Sequence, residues 1–300
     1  MDGVVGVLKP PGMTSHDVVD VLRRLAGTRR VGHTGTLDPG AAGVLVLLVG
    51  RATRIAEFLA VVDKAYRVEL TFGVATDTGD AFGTVTAAVA AADLTPERLR
   101  EVLPQFQGPI EQVPPMVSAV KVGGVRLYQR ARRGETVEAA PRRVIIHGLR
   151  LLDFWAGPPP RALLDVECSK GTYVRALARD LGEALGTAAH ASFMLRRRVG
   201  RFALDECHTL ESLAALRTDG RLGEVLLSMD DALADLPAVD VPPGQRQAVL
   251  EGIPLPLFKV ANWQQLPPDR PVRLRHGGTL LALGRIEGGS LRPFKVLAGS

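Results

Sequence analysis

The stretch Gly32-His33-Thr34-Gly35-Thr36-Leu37-Asp38-Pro39 carries the densest chemical signal in the sequence. Two glycines, two threonines and a proline so close together predict a tight, irregular loop. The apolar, branched run over 43–50 follows the loop and is bounded by glycines, which is typical of a buried strand. Loops on such rigid strands often carry functional groups, and His33 and Asp38 are the titratable side chains here. The same residues also fit an Asx turn beside a surface histidine, so the loop alone leaves both interpretations open.

Helix and strand patterns alternate around this loop. Apolar spacing, caps and glycine stops predict helices at 14–27, 53–59, 95–106 and 172–185, and strands at 43–50, 65–73, 143–154 and 162–169. A proline-containing stretch at 236–243 indicates a domain boundary. Beyond it, Gly-Gly pairs separate predicted strands at 271–276, 280–286 and 291–297, which is typical of hairpins. The order predicts an α+β protein with a large domain over 1–238 and a small β-barrel domain over 241–300.

Composition excludes several classes of protein. The chain has 300 residues, of which 46% are hydrophobic and 23% charged, an ordinary profile for a soluble globular protein. Its longest strongly apolar run, 44–49, is far shorter than the ~20 residues of a membrane span, and the N-terminus lacks a secretory signal pattern. Cys168 and Cys207 cannot form a disulfide framework, and no Cys-x-x-Cys or helically spaced histidine pair indicates zinc. We expect a cytoplasmic protein with neither a membrane segment nor a metal site.

Positive charge is concentrated in two segments. The net charge of +5 comes from 37 basic and 32 acidic residues. Segment 121–150 has 8 basic and 2 acidic residues, and segment 241–300 has 8 basic and 3 acidic residues. Most basic residues are arginine, which suits bidentate phosphate contacts, so this clustering favours a nucleic-acid partner. A GC-rich genome that uses arginine in place of lysine would explain the composition equally well.

The patterns of two common catalytic sites are missing from the sequence. There is no Gly-x-Ser-x-Gly elbow of a serine hydrolase, and neither Gly-Lys-Ser nor Gly-Lys-Thr indicates a P-loop. Asp77 and Asp80 would suit a metal-dependent phosphate hydrolase, but their spacing lacks the other ligands of an EF-hand-like loop. The loop at 32–39 therefore remains the leading candidate for chemistry.

Motifs on both sides of the loop follow one another in the order found in the TruB family of tRNA pseudouridine synthases, and the loop itself resembles that family's catalytic loop. The matching stretches are Leu8-Lys9-Pro10-Pro11-Gly12-Met13-Thr14-Ser15, Lys64-Ala65-Tyr66-Arg67-Val68, Thr76-Asp77-Thr78-Gly79-Asp80, Ser118-Ala119-Val120-Lys121, Leu127-Tyr128-Gln129-Arg130-Ala131-Arg132, Cys168-Ser169-Lys170-Gly171-Thr172-Tyr173-Val174-Arg175 and Leu195-Arg196-Arg197. With the loop they cover 8–200. Their order and spacing together are far more specific than any one of them. The terminal β unit is similar to a PUA RNA-binding domain in its hairpins and basic charge.

The resemblance implies a pseudouridine-synthase fold, which is a mixed, largely antiparallel sheet with flanking helices and an RNA-gripping insertion at about 119–143. It implies a catalytic domain over 1–238 and a PUA-like RNA-binding domain over 241–300. The family isomerises uridine 55 in the T loop of tRNA to pseudouridine after flipping the base out of its stack. The implied partner is the tRNA T stem-loop. The implied enzyme is a monomer that needs no cofactor, metal or obligate protein partner.

The resemblance also assigns catalytic residues. Asp38 matches the catalytic aspartate, which can serve as a nucleophile or as a base. Arg175 matches the arginine that pairs with it, and an ion pair would keep the carboxylate ionised and oriented. Tyr66 matches a position that stacks on the uracil and passes a proton, and Tyr173 one that contacts the base pocket. Each of the three tyrosines in the chain falls inside a family motif.

Further residues are implied to contact the substrate or to support the pocket. His33 matches the residue that occupies the space left by the flipped nucleotide, since an imidazole can stack on bases. Leu195 is expected to form a wall of the uracil pocket. Lys9 and Lys64 are expected to support the backbone or the pocket.

Arginines in the two basic segments are the candidates for contacts with the RNA backbone. Phosphate contacts of this kind supply affinity and salt dependence but little sequence specificity. The candidates are Arg126, Arg130, Arg132 and Arg133 in the insertion, and Arg273, Arg275 and Arg285 in the terminal domain.

Three other functions stay open at this point. A relative that works with guide RNA and partner proteins would share the motifs, although a Lys-rich tail is missing. A non-catalytic RNA binder or tRNA-folding chaperone would share the scaffold, although Asp38, Tyr66 and Arg175 are intact. A metal-dependent phosphate hydrolase would use Asp77 and Asp80.

Overall fold

The computed structural model describes residues 1–118, 120–131, 133–135, 137 and 139–298, without the side chain of Arg126. The strands of these ranges run in chain order as follows: β1 Gly3–Lys9, β2 Val31–His33, β3 Ala42–Val49, β4 Lys64–Phe72, β5 Val74–Thr76, β6 Val85–Ala88, β7 Gly108–Gln112, β8 Lys121–Val122, β9 Val125–Arg126, β10 Arg142–Trp155, β11 Arg161–Cys168, β12 Ala189–Val199, β13 Phe202–Ala203, β14 Ala238–Asp240, β15 Leu255–Pro256, β16 Val272–His276, β17 Thr279–Glu287 and β18 Ser290–Val296.

The helices are short and lie between the strands. The α-helices of the described ranges are α1 Ser15–Ala26, α2 Ala56–Ala60, α3 Pro96–Val102, α4 Leu127–Ala131, α5 Val174–Ala184, α6 Leu210–Thr218, α7 Met229–Ala232 and α8 Arg246–Leu250. Single 3-10 turns occupy Gly50–Ile55, Leu103–Phe106, Leu204–Glu206, Leu222–Val225, Pro243–Gln245, Leu257–Lys259 and Trp263–Gln265. Across these ranges, no helix is both long and apolar enough to cross a membrane.

A large mixed sheet organises the first part of the chain. In the described residues it has nine strands, in the order β1-β3-β12-β4-β11-β10-β7, with β2 paired to β3 and β13 paired to β12. All of these pairs are antiparallel except β3 with β12, which are parallel at Leu195↔Ala42. The largely antiparallel α+β fold predicted from the motifs is therefore confirmed.

Helix α1 shows how local sequence signals position the loop at 32–39. Thr14 caps the helix in a capping box with Asp17, and Gly27 ends it in the left-handed conformation at φ 63°. Its buried residues Val18 and Leu22 pack in one cluster with strand β3. The helix is confirmed where its caps predict it, and its first residue, Ser15, lies beside the candidate loop at Leu37.

Strand β12 is central to the sheet, yet the sequence patterns do not predict it. It pairs with β4 with register shifts between Ala191 and Phe193 and between Arg196 and Arg198. Each bulge inserts one residue, so inward and outward positions exchange along the strand. Because alternation is the main signature of a strand, these two bulges hide β12 from a pattern analysis.

The terminal residues form a second sheet of five strands in the described chain, in the order β14-β16-β17-β18-β15. The three predicted strands correspond to β16, β17 and β18. Strand β14, Ala238–Asp240, pairs parallel with β16, so the predicted boundary between 238 and 241 falls inside this strand. One buried cluster joins Leu280, Leu283 and Leu297 of this part of the chain to Val44 and Ile55 of the first part.

Candidate active site

A cavity of about 270 Å³ lies where the 34–38 loop meets strands β4 and β12 and the start of helix α5. Five of the residues predicted for the site line it: Asp38, Lys64, Tyr66, Tyr173 and Arg175. These residues are up to 137 positions apart in the sequence, from 38 to 175. The sheet brings them together because its order β3-β12-β4-β11 places the loop before β3, the start of β4 and the segment after β11 near one another.

Arg175 and Asp38 form an ion pair at this cavity. The Arg175 Nε lies 2.8 Å from Asp38 Oδ2, and the Arg175 side chain is 4% exposed. Its other nitrogens donate hydrogen bonds to the carbonyl of Thr78 at 2.6 Å and to that of Val117 at 2.9 Å. Asp80 Oδ2 lies 3.6 Å from Nη1. The guanidinium is therefore fixed from several sides and presents one edge to Asp38.

The environment of Asp38 raises the pKa of its carboxyl on balance. Burial raises the pKa of the Asp38 carboxyl above its ordinary value. The Arg175 cation lowers the same pKa and the Asp80 carboxylate raises it, so that the net shift is upward. A carboxyl group with a raised pKa is a better base once it is ionised, and such shifts cluster at functional sites.

This shift predicts the acid side of the pH-rate profile. Because only the ionised carboxyl can act as nucleophile or base, single-turnover rates should fall on acidification through a pKa above the ordinary ~4 of aspartate. In Arg175→Met the cation that opposes the shift is gone, so this fall should move to higher pH. Rate measurements on both proteins across the acid range test the prediction. Identical acid limbs in the two proteins would contradict it.

The loop that carries Asp38 is held by buried polar side chains from the N-terminal segment. Ser15 Oγ accepts a hydrogen bond from the Leu37 N–H at 2.8 Å and donates one to the Leu37 carbonyl at 3.0 Å. Lys9 Nζ donates to the carbonyls of Met13 at 2.6 Å and Pro39 at 3.1 Å. Burial lowers the pKa of Lys9 to about 8. Lys9 thus supports the backbone of the loop, and it does not line the cavity.

Arg196 holds the other side of the same loop. It is 2% exposed. Its Nε donates to the Val44 carbonyl at 2.7 Å, Nη1 to the Thr36 carbonyl at 3.2 Å and Nη2 to the Gly35 carbonyl at 3.2 Å. Gly43, at φ 111°, is required beside it, because a Cβ there would lie 2.2 Å from the Arg196 carbonyl oxygen. The sequence motif contains Arg196, but nothing in the pattern indicates that it joins the loop at 32–39 to strand β3.

Tyr66, Lys64 and Tyr173 line the same cavity as the ion pair. Tyr66 is 7% exposed, and burial raises the pKa of its hydroxyl, while the Arg196 cation lowers it. Lys64 Nζ donates to the Val62 carbonyl at 3.0 Å, and burial lowers the pKa of Lys64. Tyr173 stands immediately before α5, and its N–H donates to Gln112 Oε1 at 3.0 Å. A tyrosine hydroxyl, a lysine and an ion-paired carboxylate therefore share one small cavity.

Family comparison agrees with this geometry. The N-terminal domain of the TruB family pseudouridylate synthases matches residues 23–174, and the tRNA pseudouridylate synthase B C-terminal domain matches 175–234. The chain belongs to the TruB family. The predicted resemblance is confirmed, and the chain is an enzyme of the pseudouridylate synthase type.

Relatives of similar length support the same conclusion. A protein of Symbiobacterium thermophilum named tRNA pseudouridine synthase B is 57% identical over 84% of this chain and 83% of its own length. A protein of the same name from Moorella thermoacetica is 46% identical over 98% of this chain and 99% of its own. A chain in the structure of a Cbf5-Nop10-Gar1 complex is 26% identical with a TM-score of 0.77, covering 99% of this chain and 85% of that one.

Leu195 and His33, like Lys9, are predicted for the TruB pocket but lie outside the cavity lining. Leu195 lines a separate cleft with Leu8 and Lys9, whereas Met194 and Arg196 line the cavity. Successive strand residues point to opposite faces, so the predicted wall contact of Leu195 is not present and Met194 takes that place. His33 ends strand β2 one residue before the lining begins. Burial lowers the pKa of His33.

The basic insertion of this TruB chain is only partly described. The Arg132 residue and the Arg126 side chain lie outside the described residues. Arg133 is 68% exposed, with its Nη1 4.0 Å from Glu135 Oε1. Arg130 is 25% exposed and lies 3.5 Å from the other oxygen of Glu135. One carboxylate thus faces two cations, which leaves the segment basic.

The prediction for Arg273 is wrong on the structure. Its side chain is 10% exposed and forms an ion pair with Asp230 at 2.9 Å. The guanidinium also donates to the carbonyls of Ala234 at 3.2 Å and Leu236 at 3.0 Å. All of its nitrogens are used inside the protein, so it cannot grip a phosphate. Arg275 is 30% exposed and is shared between Asp230 and Asp240.

The acidic pair considered for metal binding has another role in this TruB chain. Asp77 Oδ1 accepts the Thr84 N–H at 2.8 Å, and Asp80 Oδ1 accepts the Phe82 N–H at 3.0 Å. Both carboxylates therefore hold the turn between β5 and β6. Among the described residues, no group of three or more His, Cys, Asp or Glu side chains is placed to hold a metal ion.

Proposed function

We propose that this chain isomerises uridine 55 in the T loop of tRNA to pseudouridine. The observation that carries the proposal is the Arg175–Asp38 ion pair at 2.8 Å in a cavity that Tyr66 and Tyr173 also line. Membership of the TruB family supports the reaction. The name tRNA pseudouridine synthase B, given to relatives at 57% and 46% identity, supports tRNA as the substrate.

The chemistry assigned to the site needs one carboxylate and no cofactor. In the reaction the glycosidic bond from N1 breaks and the same uracil is rejoined to the ribose through C5. The Asp38 carboxylate starts this exchange by attacking the ribose, by attacking the base or by removing a ribose proton. Arg175 keeps that carboxylate ionised and oriented. The Tyr66 ring stacks on the uracil while the base turns, and we assign to its hydroxyl the passing of a proton.

The target base has to leave its stack to reach Asp38, since this residue lines a cavity of about 270 Å³. His33 is assigned to the space that the flipped nucleotide leaves. It precedes the lining residue Thr34 in the chain, and its imidazole is proposed to contact neighbouring bases. Tyr173 and Lys64 contact the nucleotide inside the cavity.

Two basic regions are proposed to hold the RNA around the catalytic domain of 1–238. The insertion at 119–143 supplies Arg126, Arg130, Arg132 and Arg133. The PUA-like domain of 241–300 supplies Arg275 and Arg285, and Arg285 lies against the Phe294 ring at 4.5 Å. The enzyme is proposed to act in the cytoplasm as a monomer without an obligate protein partner.

Incubation of the purified chain with an unmodified tRNA transcript, followed by mapping of pseudouridine, tests the proposal. Conversion at position 55 without guide RNA or any second protein is the expected result. A requirement for guide RNA would favour the alternative that works in a ribonucleoprotein. Tight binding and refolding of tRNA without conversion would favour the chaperone. Activity that is lost in a chelator would reopen the hydrolase alternative.

The arginines of the insertion lead to a separate prediction about the salt dependence of KM. Reversing the charge at Arg132 and Arg133 to glutamate should raise the KM. It should also flatten the slope of log KM against log salt by about 1 for each phosphate that the protein no longer neutralises. The control is the double reversal of Arg217 and Arg221, which changes the net charge equally outside both basic regions. The test is to measure the slope of log KM against log salt for wild type and for the two double variants. If the insertion variant keeps the wild-type slope, these arginines are solvated side chains.

A further inference from the structure

Ser118 stands at the point where the chain leaves the body of the protein for the basic insertion. It lines the same cavity as Asp38 and Arg175 and is 6% exposed. The Ser118 carbonyl accepts a hydrogen bond from the Tyr128 N–H at 3.1 Å, which fixes its backbone against helix α4. Sequence patterns assign Ser118 no role beyond a place in a motif.

The Ser118 hydroxyl is a buried polar group with nothing to bond to inside the protein. Among the described residues its Oγ has no hydrogen-bond partner. Buried polar side chains nearly always have a partner, because removing an unpaired hydroxyl from water is unfavourable. An unpaired buried hydroxyl in the wall of a cavity indicates a group that forms its hydrogen bond only when a ligand fills the cavity.

The residue before Ser118 is in contact with the Arg175–Asp38 ion pair through Arg175. The carbonyl of Val117 accepts a hydrogen bond from Arg175 Nη2 at 2.9 Å, and Arg175 Nε holds Asp38 at 2.8 Å. Ser118 is therefore one peptide bond from a residue that Arg175 holds. A nucleotide that brings its glycosidic bond to Asp38 places its ribose and uracil oxygens in this part of the cavity.

We propose that the Ser118 hydroxyl hydrogen-bonds an oxygen of the target nucleotide and so helps to hold it for the reaction. The assignment rests on the proposed function of the cavity. A hydroxyl can donate to a uracil carbonyl, and it can donate to or accept from the ribose 2′-hydroxyl. The uracil carbonyl and the 2′-hydroxyl belong to the same nucleotide, and a substrate without the 2′-hydroxyl distinguishes them.

The test compares Ser118→Ala with wild type on a T-loop RNA. Because the hydroxyl is unpaired in the free enzyme, Ser118→Ala should keep or raise the Tm without RNA. It should lower kcat/KM by about tenfold, as expected when one hydrogen bond to the substrate is removed. Ser228→Ala is the matched control, since Ser228 Oγ accepts the Asp231 N–H at 3.0 Å as the cap of α7. It should show the opposite pattern, with a lower Tm and unchanged kcat/KM.

A substrate with 2′-deoxyuridine at the target position identifies the oxygen. The penalty of Ser118→Ala disappears on this substrate if the bond is to the 2′-hydroxyl, and it persists if the bond is to the uracil. A kcat/KM within twofold of wild type on the ribose substrate overturns the assignment, and so does a fall in Tm of several degrees. If wild type converts no uridine, the proposed function fails and the assignment falls with it. If wild type is active and Ser118→Ala equals it, the assignment fails alone.

Discussion

Asp38→Asn is expected to bind tRNA within about twofold of wild type and to convert it at least about 10³-fold more slowly. The amide has the size of the carboxyl and can still accept a hydrogen bond from Arg175 Nε. It cannot act as a nucleophile or as a base at neutral pH, so each of the three routes through Asp38 is closed. Arg175 keeps its bonds to the carbonyls of Thr78 and Val117, which preserves the cavity wall.

Filter binding and single-turnover conversion of a T-loop RNA measure the two effects separately. Asp165→Asn is the matched control, because Asp165 is also paired with an arginine, Arg67 at 2.9 Å, but does not line the cavity. That control should lose stability and keep its conversion rate within a few fold. Conversion by Asp38→Asn within tenfold of wild type would remove Asp38 from the catalytic role.

Arg196→Met is expected to lower the Tm by about 5 °C and to abolish most activity. Three carbonyls, the buried one of Val44 and the partly accessible ones of Gly35 and Thr36, lose a charged donor, at roughly 1 kcal/mol for each. A loss of about 3 kcal/mol corresponds to a fall of this size in a chain of this length. Two of the three carbonyls belong to the loop that carries Asp38, so the loop also loses its position relative to Arg175.

Calorimetry and conversion rates of Arg196→Met and Arg196→Lys test this prediction. The lysine variant should be intermediate, since one ammonium group cannot reach three carbonyls with the geometry of a guanidinium. Arg197→Met, the next residue, is the control, because Arg197 is 42% exposed and pairs with Asp165. Equal losses of Tm in Arg196→Met and Arg197→Met would show that the loop does not depend on Arg196.

Local signals are sufficient to predict much of the fold. Caps and glycine stops place α1 and α5 within two residues of their ends, and alternation places β4 within one. Strand β12 escapes prediction because its two bulges break the alternation. The predicted terminal strands are confirmed, whereas β14 falls in a predicted linker because prolines surround its three residues.

Only those residues of the candidate site that belong to family motifs can be predicted from the sequence. Those motifs name five residues that line the cavity, but nothing local in the sequence brings Asp38 and Arg175 together. Ser118 and the loop contacts of Arg196 depend on burial and on distances across the sheet, which no spacing pattern records. The prediction for Arg273 fails because positive charge alone does not distinguish a phosphate contact from an internal ion pair with Asp230.

The buried cluster that joins Leu280, Leu283 and Leu297 to Val44 and Ile55 has a mechanical consequence. Because the two sheets share this apolar contact, the terminal sheet cannot swing away without exposing it to water. The distance between the two sheets is therefore fixed, and an RNA that contacts both sheets has to fit that distance. The terminal sheet should accordingly melt together with the large sheet in one transition.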